Sequence, residues 1–349
     1  MSHRATLTVA SRGSALARLQ TDLVAERLLR HRIGVEVEVI ESDADRAPAA
    51  VVAELGTIGA FVRRVDTPVI EGEADGAIHS MKDMPTEMPE GLCVAAVLPR
   101  GPTRDVLVTP GGDPLDALPA GAVIGTGSLR RQAQLLTHSD GLAVAPIRGN
   151  VDTRIQKLIA PTLSAERERI EADAEADLDS WQATLSETDV AALEREPPEP
   201  PFAGLILAAA GLQRLALTGH FGVVPLPRRR FIPAPAQGAI CVVMRRDHPE
   251  LGRVRRVLDD HPSRVATTIE RRILAGVGGG CIAPIGVNAQ LQGSTAHVVA
   301  GVYHPAGAES VVEHRHLPLR RYEEAVDEFV EALTERGATQ LLQEAATGR

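Results

Sequence analysis

The chain has 349 residues, of which 44% are hydrophobic, 24% charged and only 2% aromatic, a composition that describes a globular protein of two or three domains with aliphatic cores. A formal net charge of −9 argues against nonspecific binding to nucleic acid or to an anionic membrane surface. Residues 1–9 lack an apolar segment behind a basic start, and no stretch approaches the roughly 18 apolar residues of a membrane span, so a cytoplasmic protein is expected.

Residues 6–10 alternate as a strand does, Ser14 is placed as an N-cap, and Leu16, Leu19, Leu23 and Leu28 recur at helical spacing. Val35, Val37 and Val39 then resume the alternation, which completes a βαβ unit. A helix is expected over 61–70, a short apolar strand at 76–78 and a buried strand at 92–98. After the break at 99–103, strands are expected at 105–109, 122–126, 142–147 and 205–208, with a helix at 129–136. Helices alternating with strands on both sides of that break predict two α/β domains. Residues 160–201 are rich in Glu, Asp and Ala and close on a Glu-Pro-Pro-Glu-Pro-Pro run, which predicts a solvated helical insertion without chemistry of its own. Further on come a strand at 239–244, a charged helix at 266–274, strands at 287–291 and 297–303, and one amphipathic helix over 322–344. That order suits a small α+β domain with an antiparallel sheet.

Four segments place polar or reactive groups where strands end, the usual position of ligand sites in open α/β sheets. Ser11-Arg12-Gly13-Ser14 offers backbone N–H groups and a guanidinium to an anion, although an N-cap beside a surface arginine is the plainer reading. His79-Ser80-Met81-Lys82-Asp83-Met84-Pro85 sets a cation and a carboxylate side by side, as a ligand site or as a solvated ion pair. Gly125-Thr126-Gly127-Ser128-Leu129-Arg130-Arg131 opens a helix, and Arg148 and Arg154 follow the next strand. Four arginines at two neighbouring strand ends suit bidentate recognition of carboxylates or phosphates, unless they are a solvated basic face.

The fourth segment is Gly278-Gly279-Gly280-Cys281-Ile282-Ala283-Pro284-Ile285-Gly286. Cys93 and Cys241 lie in apolar strands and read as small buried hydrophobes. Cys281 stands on a glycine loop, where a thiol is either exposed for nucleophilic attachment or held inert. Three scattered cysteines form neither a disulfide framework nor a zinc pair, so no metal is expected.

Taken together these segments resemble the porphobilinogen deaminase family, in order and over almost the whole chain outside the acidic insertion. Residues 79–85 match its HSMKD-x-P signature, 125–132 its GTxSLRRQ and 279–286 its GGCxxPIG loop; 147–153 resemble its LRGNVxTR with Arg154 completing it, 208–215 look like its AxAGLxRL, and 235–239 approximate its GQGA element. The resemblance implies two α/β lobes like those of type II periplasmic binding proteins plus a small C-terminal α+β domain. Domain 1 would be 1–102 completed by about 236–258, domain 2 would be 103–235, and domain 3 would be 259–349. It implies a dipyrromethane cofactor joined by a thioether to Cys281, with Asp83 as the catalytic carboxylate. Lys82, Thr126, Ser128, Arg130 and Arg131 would hold the cofactor, and Arg12, Ser14, Phe61, Gln237, Arg148 and Arg154 would bind substrate. The reaction implied is the head-to-tail joining of four porphobilinogens to hydroxymethylbilane by a monomer, while the charge, hydropathy and cysteine pattern give the expectation of no nucleic acid, no membrane and no metal. One departure stands out: the family's loop before its Phe-Val carries lysines where this chain has Glu54 and Ile58. The reading from a different class is a noncatalytic two-lobed anion-binding protein with an inert Cys281.

Overall fold

The computed structural model describes residues 6–40, 58–139, 141–173, 177–199, 201–280 and 282–347. The chain divides into two compact units: Met1–Thr103 with Pro233–Val302 and Val311–Arg349, and Arg104–Ile232 with Tyr303–Ser310.

β1 (Thr6–Arg12) feeds α1 (Ala15–Arg30), whose first turn is capped by Ser14 Oγ accepting from Ala17 N at 3.3 Å. β2 (Gly34–Ile40) returns parallel to β1, in register from Thr6 opposite Gly34 to Arg12 opposite Ile40. α2 (Ile58–Glu71) turns Val62, Val65 and Val69 into a buried cluster, the i, i+3, i+7 stripe of a helix lying on a sheet. β3 (Gly76–Ser80) pairs parallel with β1 and runs directly into a 3₁₀ turn, Met81–Asp83. β4 (Leu92–Val97) follows in sequence, but the sheet separates it from β3 by one strand that arrives much later in the chain.

The second unit opens with β5 (Asp105–Thr109), buried at all five positions. There follow β6 (Val123–Gly125), α3 (Leu129–His138), β7 (Ala143–Ala145), α4 (Val151–Ala172), α5 (Leu178–Gln182), α6 (Glu187–Leu193), β8 (Gly204–Ala208), α7 (Ala209–Leu215) and β9 (Gly222–Pro225). Its sheet has the order β7-β6-β8-β5-β9, with β6 parallel to β7 and β8, and β5 antiparallel to β8 and β9. Burial on both faces explains why β5 and β8 read as continuous apolar runs rather than alternating ones. The acidic segment differs from a detached insertion beginning at 160. It is the far part of α4, whose residues Ile155, Leu158, Ile159, Ala160 and Leu163 are buried, and only beyond Leu163 does that helix become a polar extension. α6 comes back onto α4, starts with a capping box between Ser186 and Asp189, and adds Ala192 to the same core.

β10 (Ile240–Arg245) enters the first unit's sheet antiparallel to both β3 and β4, giving the order β2-β1-β3-β10-β4. α8 (Leu251–Leu258) contributes Val254 and Leu258 to the core under that sheet. α9 (His261–Gly276) is capped by Asp260, and β11 (Ile285–Gln292), β12 (Thr295–Tyr303) and β13 (Ser310–Pro318) form a three-stranded sheet in that order. α9 and α10 (Tyr322–Glu335) bury Ile269, Ile273, Val326 and Phe329 in one cluster with Val287 and Val298 of that sheet, which gives the C-terminal part a core of its own. The single closing helix expected from the sequence is two helices, because Gly337 at φ +90° ends α10 before α11 (Ala338–Thr347) begins.

One carboxylate ties the parts of the first unit together. Glu270, fully buried on α9, accepts from Arg100 Nη1 and Nη2 at 2.8 Å each, from Ala236 N at 2.6 Å, from Ala289 N at 2.7 Å and from Asn288 Nδ2 at 3.2 Å. Replacing Arg100 with Leu strands that charge and is expected to destabilise the first unit by about 3–5 kcal/mol. Urea unfolding of the variant checks this, and a loss below about 1 kcal/mol would show the pair to be dispensable.

Candidate functional site

In the first unit the strand ends gather the polar groups. Arg12, half-buried, is the last residue of β1, and Ser11 beside it accepts from Thr21 Oγ1 at 2.8 Å. Ser14 is spent on capping α1. Lys82 and Asp83, both half-buried, sit in the 3₁₀ turn, and the methionines flanking them, Met81 and Met84, are 4% and 1% exposed. Two apolar anchors thus pin the turn that lifts a cation and a carboxylate out of the core. Three neighbours hold it. Met81 N donates to Ala239 O at 3.0 Å, Gln20 Nε2 donates to Ser80 Oγ at 2.9 Å, and the Arg271 guanidinium on α9 donates to the carbonyls of Met84, Pro85 and Thr86.

Gln237 is fully buried: its Nε2 donates to Thr103 O at 2.6 Å and its carbonyl accepts from Arg100 Nε at 2.8 Å. The next residue, Gly238, has φ +87°, and a Cβ there would stand 2.7 Å from the carbonyl oxygens of Gly101 and Pro102. The amide of Gln237 therefore belongs to the crossing of two chain segments. Phe61 and Ile58 lie in α2, but their side chains, like Glu54 and Cys281 entirely, fall outside the described residues.

In the second unit, Arg130 and Arg131 are 3% and 6% exposed rather than open to solvent. Both guanidiniums close on one fully buried carboxylate: Arg130 Nη1 donates to Asp105 Oδ2 at 2.7 Å, and Arg131 Nε and Nη2 donate to Oδ1 at 3.1 and 2.8 Å. Arg130 Nη1 also donates to Ile232 O at 2.7 Å, and Arg131 Nη1 donates to Ile206 O at 2.9 Å. Burial alone would raise the Asp105 carboxyl, but the two cations and their hydrogen bonds hold it well below the usual carboxylate range. The cluster carries two positive charges and one negative. Its net charge of +1 sits beneath the N-terminus of α3, where the helix dipole has the same sign.

Around that buried charge, Thr126 Oγ1 accepts from Ser128 N at 3.2 Å, and Ser128 stands half-buried at the N-cap of α3 with its hydroxyl not engaged in capping. Arg148 is exposed, and Arg154 is half-buried with Nε on Gly149 O at 2.7 Å. Burial and the nearby Arg131 both lower the Arg154 pKa, so these two cations feel one another. The sequence reading collected the arginines and missed Asp105, whose signal was a lone acid heading an apolar strand. Cys241 is fully buried, with burial pushing its thiol up to about 12, whereas Cys93 is partly exposed. Among the described residues no cluster of three His, Cys, Asp or Glu side chains is placed for a metal, and no helix is long and apolar enough to cross a membrane.

Two mixed α/β units, each with cations at strand ends, define an α/β protein with polar groups where open sheets of this kind place ligand sites. The family model described as "Porphobilinogen deaminase, dipyromethane cofactor binding domain" matches residues 7–167 and 186–253. The chain is 40% identical to the "Probable porphobilinogen deaminase" of Halobacterium salinarum, with 98% of each chain covered. It is 36% identical to the "Porphobilinogen deaminase" of Rubrobacter xylanophilus, with 86% of each covered, and 34% identical to that of Sulfurimonas denitrificans, with 97% of each covered. This chain belongs to the porphobilinogen deaminase family, enzymes of tetrapyrrole biosynthesis built around a dipyrromethane cofactor. Among solved structures the methionine-binding protein MetQ aligns at 10% identity over 72% of this chain and 89% of its own, with a TM-score of 0.34, too low to support a comparison of sites.

Because the Asp105 carboxyl is held low, its contribution is complete above the unfolded value of about 4 and is lost as pH falls towards the folded one. Asp105→Asn is therefore expected to cost about 3–5 kcal/mol at pH 7 and progressively less below about pH 4. Thermal melts of both proteins across that range check the sign; a gap that widens in acid would contradict it.

Proposed function

We propose that the chain is a hydroxymethylbilane synthase, a transferase that joins four porphobilinogens head to tail with release of ammonia. The observation that carries this reading is the Lys82–Asp83 turn, fixed between two buried methionines at the end of a parallel strand of a chain belonging to this family. In each joining step the bond from the aminomethyl carbon to nitrogen breaks, and a new carbon–carbon bond forms to the free ring carbon of the preceding pyrrole. The hydrogen on that ring carbon leaves as a proton. Asp83 meets the positive charge that develops as ammonia departs, accepts hydrogen bonds from pyrrole N–H groups and handles protons, the role of a carboxylate set where charge appears.

A dipyrromethane carries acetate and propionate side chains, and the donor set of this chain suits it. Lys82, with Arg12 for the substrate, supplies cations in the first unit. Ser128, Thr126 and the positive charge of Arg130 and Arg131 supply hydrogen bonds and field in the second, with Arg148 and Arg154 for the growing chain. Bound through Cys281, the group supplies the first nucleophilic pyrrole carbon. Since Arg130 and Arg131 are already committed to Asp105, we assign them an electrostatic part from below the surface, and the direct contacts of elongation to Arg148 and Arg154. We take the protein to be a cytoplasmic monomer of three domains, 1–102 completed by about 236–258, 103–235 and 259–349, which binds no nucleic acid; the net charge of −9 supports the last point.

Intact mass of the purified chain is expected to exceed the sequence mass by a dipyrromethane, with a colour reaction to Ehrlich's reagent. Cys281→Ser should lose both, and substitution of Cys93 or Cys241 neither. A Cys281 variant that still carries the pyrrole mass would refute the attachment. Asp83→Asn is expected to keep the fold and the cofactor while turnover falls by at least about a hundredfold, read in steady-state assays with porphobilinogen.

A further inference from the structure

Within the apolar stripe that α2 lays on the first unit's sheet there is one acid. Asp66 falls between Val62, Val65 and Val69 and is fully buried. Its Oδ1 meets Nε2 of His79 at 2.7 Å, and the two side chains are 0% and 5% exposed. Its Oδ2 is buried with no hydrogen-bond partner among the described residues.

Stability does not account for this arrangement. A buried carboxylate with one oxygen unsatisfied is a penalty, and an apolar residue at either position would complete the stripe without it. What a hydrogen-bonded polar pair provides and a hydrophobic contact does not is direction: it fixes the ring of His79 and, through it, the end of β3. Breaks of this kind in local pattern concentrate where function asks for them.

His79 lies four residues before Asp83, and the intervening chain is already pinned. Ser80 is bonded to Gln20, and Met81 and Met84 sit in the same buried cluster as Val62, Val65 and Val69 of α2. The Cys241 thiol, directly across the sheet from His79, feels the negative charge of both Asp66 and Asp83, which puts the two carboxylates within electrostatic reach of one buried sulfur.

We propose that Asp66 is a positioning residue for Asp83: held to His79, it sets the height and angle of the turn that presents the catalytic carboxylate. It touches no substrate itself. The pair also joins the helix that begins at Ile58 to the strand that ends in Asp83, so a shift of α2 is passed to the turn. This inference rests on the assignment of Asp83 given above.

The test uses the full chain with its cofactor loaded, verified by intact mass. Asp66→Asn and His79→Gln are each expected to lower kcat for porphobilinogen by about 10- to 100-fold, the scale of a displacement near 1 Å, with KM changed by less than about threefold. The double variant should be no slower than the slower single one, since the pair acts as a unit. To separate positioning from folding, the apolar pair Asp66→Leu with His79→Leu is measured alongside. A melting temperature at or above that of the parent with turnover still depressed supports the proposal. Parental kcat in the apolar pair or in Asp66→Asn overturns it, as does a loss in every variant that merely follows the unfolded fraction or the missing cofactor mass. Asp83→Asn is the control: if it turns over normally, the assignment of Asp83 fails and the inference with it. If only Asp83→Asn is slow, the inference alone fails.

Discussion

The carboxylate of Glu270 organises the first unit more than any other single group. It is fully buried, yet each oxygen is answered: Arg100 engages both, Ala236 N adds a bond to one, and Asn288 and Ala289 close on the other. Those partners come from three separate stretches of sequence. A charge taken so far from water is tolerated only when every lone pair finds a donor, so these segments can meet in one arrangement alone. The neighbouring residue, Arg271, reaches from the same helix to the carbonyls just after Asp83. One helix, through two successive residues, therefore fixes both the crossing of chain segments near Gln237 and the turn of the candidate catalytic carboxylate.

The second unit solves the opposite problem with the same physics. Two buried guanidiniums share one carboxylate, and the excess positive charge remains beneath a helix N-terminus. A site that gathers several carboxylate groups needs a positive field, but exposed arginines alone would be screened by salt and would pair with whatever acid the surface of a chain of net charge −9 offers. Burial keeps Arg130 and Arg131 out of that competition and leaves Arg148 and Arg154 nearer the surface.

Much of the architecture was legible because the aliphatic residues either keep a period or run together. The βαβ unit at the N-terminus follows from alternation and helical spacing, whereas the strands expected at 92–98, 105–109 and 205–208 are continuous apolar runs and meet Leu92–Val97, Asp105–Thr109 and Gly204–Ala208; the helix expected at 129–136 is Leu129–His138. What escaped had a local reason. β13 carries Glu313, His314, Arg315 and His316 on a partly exposed strand, so its alternation is masked, and β9 is four residues long and half-exposed. The break at Gly337 lies inside an otherwise continuous amphipathic pattern, where the glycine itself was the signal and its positive φ confirms the stop. Among the candidate site residues, motif identity singled out Asp83 and the arginines, but not whether a guanidinium is open or already paired. That depended on Asp105, 25 residues before Arg130 in sequence and 2.7 Å from it in space. The Asp66–His79 pair was hidden for the same reason: a lone acid in an apolar helix face has meaning only beside its partner.

The late arrival of β10 has a consequence for how the chain is made. β3 and β4 are not neighbours in the finished sheet; the gap between them is filled by residues 240–245, antiparallel to both. As the polypeptide leaves the ribosome, the N-terminal hundred residues emerge with two strand edges lacking the partner that will cover them. The contiguous stretch Arg104–Ile232 holds all five strands of its own sheet and can complete it first. The N-terminal lobe thus waits, with open edges, through the synthesis of a whole neighbouring unit, and in that interval the nascent chain presents its greatest exposure to mispairing and to chaperones.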